Sequence, residues 1–178
     1  MFGASLPVPL RVVATGALTM ILFAVALAGC SNYSFSSAVK THVSTVAIPL
    51  LTNQTLEYGV DQGVTDALVN EFTNDNALRV VREEEADSII RGAVVLYERP
   101  VISYDASGNP NEYKVRVVAD LTYEDLTKNE IVWQGEVEGW AVFTISGAGG
   151  DLTSEQEAQQ YAYVKLAQDV LAKTVQGW

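Results

Sequence analysis

Three kinds of side chain are nearly missing from this chain, and each shortage closes off a class of function. There is one cysteine, Cys30, in 178 residues, so no intrachain disulfide can form and the fold must rest on its core. There is one histidine, His42, at the start of the first predicted strand and without a recognisable triad context. Nucleophilic catalysis therefore has no base, and zinc has no ligand set. Carboxylates are plentiful but form no clustered calcium-loop pattern. Outward pairs such as Glu136 and Glu138 read as solubility and edge protection rather than as an acid–base pair. Cations are the third shortage: 11 Lys and Arg stand against 22 Asp and Glu, a net charge of -11, which argues against a nucleic-acid partner. We expect no enzymatic activity, no metal and no cofactor.

What is present begins with a run of apolar residues. Arg11 forms a short positive region, residues 12–27 an apolar core, and Ala28-Gly29-Cys30 a small-residue junction, the three parts of a secretory signal. This junction resembles the lipobox of bacterial lipoproteins, in which cleavage leaves the cysteine at the new amino terminus and its thiol carries lipid, palmitate included. Lipidation at Cys30 would supply two or three acyl chains at about 0.8 kcal/mol per buried methylene, enough for lasting attachment where one chain holds only marginally. The alternative is a transmembrane signal anchor, since residues 12–29 approach the roughly 20 needed to span a bilayer; Thr15, Gly16 and Thr19 weaken that span. Ser31 follows the cysteine where aspartate typically retains Gram-negative lipoproteins in the inner membrane. By resemblance, this chain faces the periplasm from the outer membrane. The expected organisation is a signal peptide over 1–29, a lipidated tether over 30–41 and a single domain over 42–178. Loss of Arg11 leaves 10 cations against 22 acids, a net charge near -12.

The remainder, about 150 residues, suffices for one substantial core. Residues 43–50 read as a first strand with Val46, Ile48 and Leu50 on one face, ended or edged by Pro49. Thr52-Asn53-Gln54-Thr55 offers turn and cap chemistry for a helix to about Asn74, with Val60, Val64, Ala67, Leu68 and Phe72 as its apolar stripe. Gly59, Gly63 and Ala67, four apart, suit close packing on the protein's own sheet, or a partner helix. After a short strand over 78–81 and the charge run Glu83-Glu84-Glu85, three long strands follow.

Ile90, Val94 and Leu96 share a face of the first. The odd residues from Tyr113 to Tyr123 line the second, the cleanest alternation in the chain. Ile131, Trp133, Val137, Ala141 and Phe143 point inward on the third. Hairpin tips fall at 105–111 and 125–130. Gly147, Gly149 and Gly150 lack the Lys-Ser or Lys-Thr of a phosphate loop and read as a linker. Thr153 with Gln156, or Ser154 with Glu157, caps a last helix reaching about Val175. The predicted fold is α+β: a two-layer sandwich with two helices on one face of a mixed, mostly antiparallel sheet of four to five strands. The other face would carry Val95, Tyr97, Val118, Val132, Trp140 and Val142 among charges, and an exposed apolar patch marks a binding surface. Val118, Trp140 and Val142 are the candidate partner-binding residues.

Tyr33-Ser34-Phe35 after the cysteine, Val46-Ala47-Ile48-Pro49, Asn53-Gln54-Thr55, the 68–72 helix segment, Ala86-Asp87 before Ile90 and Gly92, and Val132-Trp133 together are similar to the LptE family, lipoproteins of the outer-membrane lipopolysaccharide translocon. Family members usually carry glycine ahead of the Tyr-x-Phe, where this chain has Asn32. The resemblance implies a two-layer α/β domain that sits inside a β-barrel partner, an LptD-like translocon subunit, assists its assembly and contacts lipopolysaccharide. For that contact, Arg91, Lys114 and Arg116 are the candidates, outward by parity on neighbouring strands. Alternatively they neutralise Asp120, Glu136 and Glu138 across the sheet. The Val46-Ala47-Ile48-Pro49 strand, capped helix and Arg79-Val80-Val81 strand also resemble outer-membrane lipoproteins of the curli-secretion and penicillin-binding-protein-activator type, which oligomerise or bind cell-wall synthases. That class would continue in helix–strand alternation rather than in three consecutive long strands.

Overall fold

The computed structural model describes residues 42–145, 152 and 154–176. The signal segment, Cys30, the tether, the 147–150 glycines and Thr153 lie outside the described residues. Seven strands and two helices make up the described part: β1 (Thr45–Ala47), β2 (Thr52–Asn53), α1 (Val60–Asp75), β3 (Arg79–Val80), β4 (Ser88–Glu98), β5 (Val101–Tyr104), β6 (Pro110–Asp125), β7 (Glu130–Thr144) and α2 (Glu155–Gln176). A 3-10 turn at Glu83–Glu85 occupies the acidic run, with none of its residues buried.

The class is α+β as expected, but the sheet is larger than four to five strands, and it curls rather than lying flat in a two-layer sandwich. Two prolines account for the extra strands. Near Pro49 the first strand breaks into β1 and β2, both parallel to β4, at Ser88–Ile89 and at Ala93–Val94 respectively. Leu50 is consequently exposed and Leu51 takes the core position instead, its N–H donating to Thr65 Oγ1 at 3.1 Å. At Pro100 the next strand breaks into β4 and β5, which share one side of β6. A proline cannot donate to a ladder, so each break falls where the donor is missing. The order across the sheet is β3-β1-β4-β6-β7, with β7 at the edge.

Two β-bulges change the parity read from the sequence. The register of β4 on β6 shifts between Val94 and Leu96. Leu96 therefore pairs with Val118 on the outward side, whereas Tyr97 turns inward against the core and reaches Glu155 through its hydroxyl at 3.3 Å. The register of β7 on β6 shifts between Tyr123 and Glu124. Ile131 is thereby exposed, while Val132 packs on the core. Tyr97 and Val132 leave the outward face, and Leu96 and Ile131 join it.

The helices cover the other face. Val60, Val64, Leu68 and Phe72 recur every four residues along α1 and are fully buried. The 52–55 segment forms a side-chain turn rather than a cap: Asn53 Oδ1 accepts from the Thr55 N–H at 2.9 Å, and the helix begins only after Gly59. Ser154 caps α2, its Oγ accepting from the Glu157 N–H at 3.2 Å. Gly63 lets the α2 residue Tyr163 lie against α1: a Cβ there would stand 2.3 Å from the Tyr163 ring. The close contact is thus within the chain, but with the second helix rather than with the sheet.

Two carboxylates clasp the entrance to β1. Asp87 accepts from the Ser44 N–H and hydroxyl, both at 2.9 Å, and from the Thr45 N–H at 3.1 Å, which hold its pKa below the usual range. Asp125, buried at the β6–β7 turn, contacts His42 Nε2 and accepts from the Thr127 hydroxyl and N–H and the Lys128 N–H. Burial alone would raise its pKa, but the Thr127 hydroxyl, His42 and the two N–H groups outweigh that and bring it to about 2. A carboxyl depressed from 3.8 to about 2 contributes stability that is fully present above the unfolded value and lost as pH falls through the folded one. Denaturation measured against pH should therefore show stability falling between about pH 4 and pH 2, with Asp125 accounting for about 2 kcal/mol. Asp125→Asn should give up a similar amount at neutral pH and flatten that slope. An unchanged slope in the variant would show that Asp125 is not the titrating clasp.

Candidate functional site

The helix-free face is built by the even residues of β6 and β7 and by the part of β4 beyond its bulge. Arg116 lies opposite Trp140 on β7 and Glu98 on β4. Its guanidinium forks between two carboxylates, Nη1 at 3.0 Å from Glu98 and Nη2 at 2.9 Å from Glu138. Hydrogen bonding to Glu138 and then Glu98 pushes Arg116 further above its ordinary pKa, and Arg116 in turn pulls Glu138 down. Lys114 Nζ is 3.9 Å from Glu138 and 4.6 Å from the centre of the Trp140 ring, a cation–π contact on a half-exposed tryptophan.

The three predicted cations do not form one cluster. Arg91 lies opposite Thr122, six residues along β6 from Arg116, or about 20 Å at the rise of a strand. There it pairs with Glu83 and stands 3.9 Å from Glu124. All three cations are met by carboxylates, although the acids are mainly Glu98, Glu138, Glu83 and Glu124 rather than Asp120 and Glu136. Those last two face each other across the β6–β7 ladder, a like-charge pair.

Among the predicted partner contacts, Trp140 is 48% exposed and Val142 is half-buried. Val118 is only 4% exposed. It points outward by parity, but it lies between Leu96 and Glu138, with Arg116 two residues along its own strand. Neighbouring long side chains close over a small β-branched one, so the surface contact passes to Trp140 and Leu96.

Sequence reasoning missed a second exposed group. Leu56 and Tyr58 are fully exposed on the turn before α1, and Ile102 and Tyr104 are exposed on β5. The 105–109 tip beside β5 is closed by Asp105, whose carboxylate accepts from the Asn109 and Ser107 N–H groups at 2.9 and 2.8 Å. Gly59, in a left-handed conformation at the start of α1, was the available signal that Leu56 and Tyr58 precede the helix.

Among the described residues no group of His, Cys, Asp and Glu could hold a metal ion, and no helix is long and apolar enough to cross a membrane. The fold and this face define an α+β domain whose chemistry is spread over a surface of paired charges and aromatic rings rather than gathered in a cleft. Within that class, the chain belongs to the LptE family, a non-catalytic family whose model, described as lipopolysaccharide-assembly, matches residues 43–174. No curated protein sequence matches it.

Solved structures share the fold at low identity. The hypothetical protein CT253 from Chlamydia trachomatis aligns at 7% identity and a TM-score of 0.53, over 75% of this chain and 96% of that one. Lipoprotein B from Nitrosomonas europaea aligns at 16% and 0.51, over 75% and 83%. A Xanthomonas campestris protein of the DUF330 family model aligns at 9% and 0.53, over 75% and 85%.

Proposed function

We propose that this chain is an outer-membrane lipoprotein, anchored through acylated Cys30, that occupies the interior of the β-barrel subunit of a lipopolysaccharide translocon and assists its assembly. The observation that carries the reading is the family match over residues 43–174. The face without helices suits that place. A barrel interior is polar and hydrated, and a surface whose cations are already matched by carboxylates, with Trp140 as an aromatic contact, can enter it without stranding those cations. The element order, with β4 to β7 consecutive before the closing helix, favours this reading over a curli-secretion or wall-synthase role. Enclosure would bury more than the roughly 1,200 to 2,000 Å² of a standard interface.

Photo-crosslinkers at Trp140, Val142 and Asn109 should capture a β-barrel protein, and depletion of the chain should lower the amount of assembled barrel. Capture of only a wall synthase, or of further copies of the chain, would sink the reading. Lipopolysaccharide contact is assigned to Lys114 and Arg116, with Arg91 as a separate point. A phosphate at either place must displace a carboxylate, but Lys114 and Arg116 offer two neighbouring cations where Arg91 offers one, so Lys114→Ser with Arg116→Ser should weaken lipopolysaccharide binding more than Arg91→Ser does. Unchanged binding in the triple variant would leave these residues as neutralising partners only.

A further inference from the structure

The sheet has two edges of very different length. On one side it ends in β3, two residues long; on the other it ends in β7, fifteen residues long and hydrogen-bonded only to β6 among the described strands. The direction of the β7 backbone groups follows from two bonds. The Ile145 N–H donates to Asn111 on β6 at 3.0 Å, whereas the Thr144 N–H points the other way and donates to Leu152 at 3.1 Å. With no register shift from Thr144 back to Trp133, the even residues Gln134, Glu136, Glu138, Trp140 and Val142 turn their N–H and C=O groups away from the sheet. The chain's own return at Leu152 uses the end of this edge in the manner of an added strand, and among the described residues no other strand pairs with it.

Natural edges are usually blunted by proline, lysine, a bulge or brevity. Over 134–142 none of these occurs, since the β7 bulge lies nearer the start of the strand, and the acidic side chains that protect this edge deter like or neutral strands but not a basic one. What does stand beside the edge is negative charge: Glu136 faces Asp120 across the ladder, whereas Glu138, two residues on, is already engaged by Arg116.

We propose that the 134–142 edge of β7 receives an extended segment of a second polypeptide, one that alternates basic with apolar residues. Strand addition satisfies the outward N–H and C=O groups. A basic side chain directly opposite Glu136 relieves the Asp120–Glu136 repulsion, one opposite Glu138 can share that carboxylate with Arg116, and one opposite Trp140 meets an aromatic face. A second copy of this chain fits poorly. The antiparallel register with full overlap centres on Glu138 and sets two Glu138 carboxylates against each other. A closed barrel wall has no free edge to offer, so the occupant is a terminal or looped-in segment, and the inference stands independently of the plug.

The test uses the purified full-length chain in detergent and a synthetic peptide of about ten residues alternating lysine and valine, the length of a typical added strand. Saturating peptide should slow amide exchange at Glu136, Glu138 and Trp140 at least about tenfold while leaving Val137, already bonded to β6, unchanged. Glu136→Pro removes an outward donor and should abolish the slowing; proline is tolerated at such positions. Should that variant unfold, Glu136→Lys with Glu138→Lys must instead shift preference to a glutamate–valine peptide. Absence of slowing, slowing equal with the glutamate–valine peptide on the native chain, or protection of β7 by self-association without peptide would each overturn the proposal.

Discussion

Cys30→Ser should leave the chain with residues 1–29 still attached and confined to the inner membrane. The change removes the only thiol, and so the only site at which a thioether-linked lipid could form beside the Ala28-Gly29 junction. If cleavage follows lipidation, as in the lipoproteins this junction resembles, the variant is not processed. The apolar run over 12–29 is close to the length that spans a bilayer, so the precursor stays membrane-bound without reaching the outer membrane. The native chain should instead begin at acylated Cys30 and sediment with the outer membrane, where two or three chains at about 0.8 kcal/mol per methylene make release negligible. Mass spectrometry of both proteins and density separation of the membranes decide the matter. A native protein that keeps residues 12–29, or one that begins elsewhere, removes the anchor from the functional reading. Barrel assembly should fall with the anchor, because a domain held in the other membrane cannot meet its partner.

The regular parts of the fold were legible because they repeat. The alternation of β6 places Val115, Val117, Ala119, Leu121 and Tyr123 in the core, all fully buried, and the four-residue spacing of α1 buries Val60, Val64, Leu68 and Phe72. What escaped were single-residue events that shift a period. The bulges at 95 and 132 sit in runs of β-branched and aromatic residues that read equally well in either register, so Tyr97 and Val132 were assigned to the wrong face. Proline marked the end of the first strand but gave no sign that the chain would rejoin the same neighbour as β2. At the candidate site, parity placed Lys114 and Arg116 outward together. Pairing with Glu138 was the alternative the sequence already offered, whereas pairing with Glu98 depends on the cross-strand register of β4, which the bulge shifts. The burial of Val118 likewise depends on side chains from neighbouring strands.

Gly139→Val should cost the described domain a large share of its stability. At Gly139 the α2 helix comes so close to β7 that a Cβ would stand 2.0 Å from the Ala162 carbonyl oxygen and 2.8 Å from Leu166. Both neighbours belong to the buried face of α2, which includes Ala158, Ala162, Leu166 and Val170. A backbone carbonyl cannot swing aside as a side-chain tip can, so the helix itself must move off the sheet. Overpacking ordinarily costs about 1 to 3 kcal/mol. A β-branched residue pressed on a carbonyl should exceed that range, against a total of only about 5 to 15 kcal/mol for an ordinary domain. Gly63→Ala provides the comparison: its Cβ would meet the buried Tyr163 ring at 2.3 Å, a side chain that can shift where a backbone carbonyl cannot, so Gly139→Ala should lower the denaturant midpoint more than Gly63→Ala does. Equal midpoints for the two alanine variants would show that α2 is not held at Gly139. The consequence reaches the functional face directly. Glu138 and Trp140 flank Gly139, so a helix displaced there loosens the strand that carries Trp140, and crosslinking of a barrel through Trp140 should decline in step with the loss of stability.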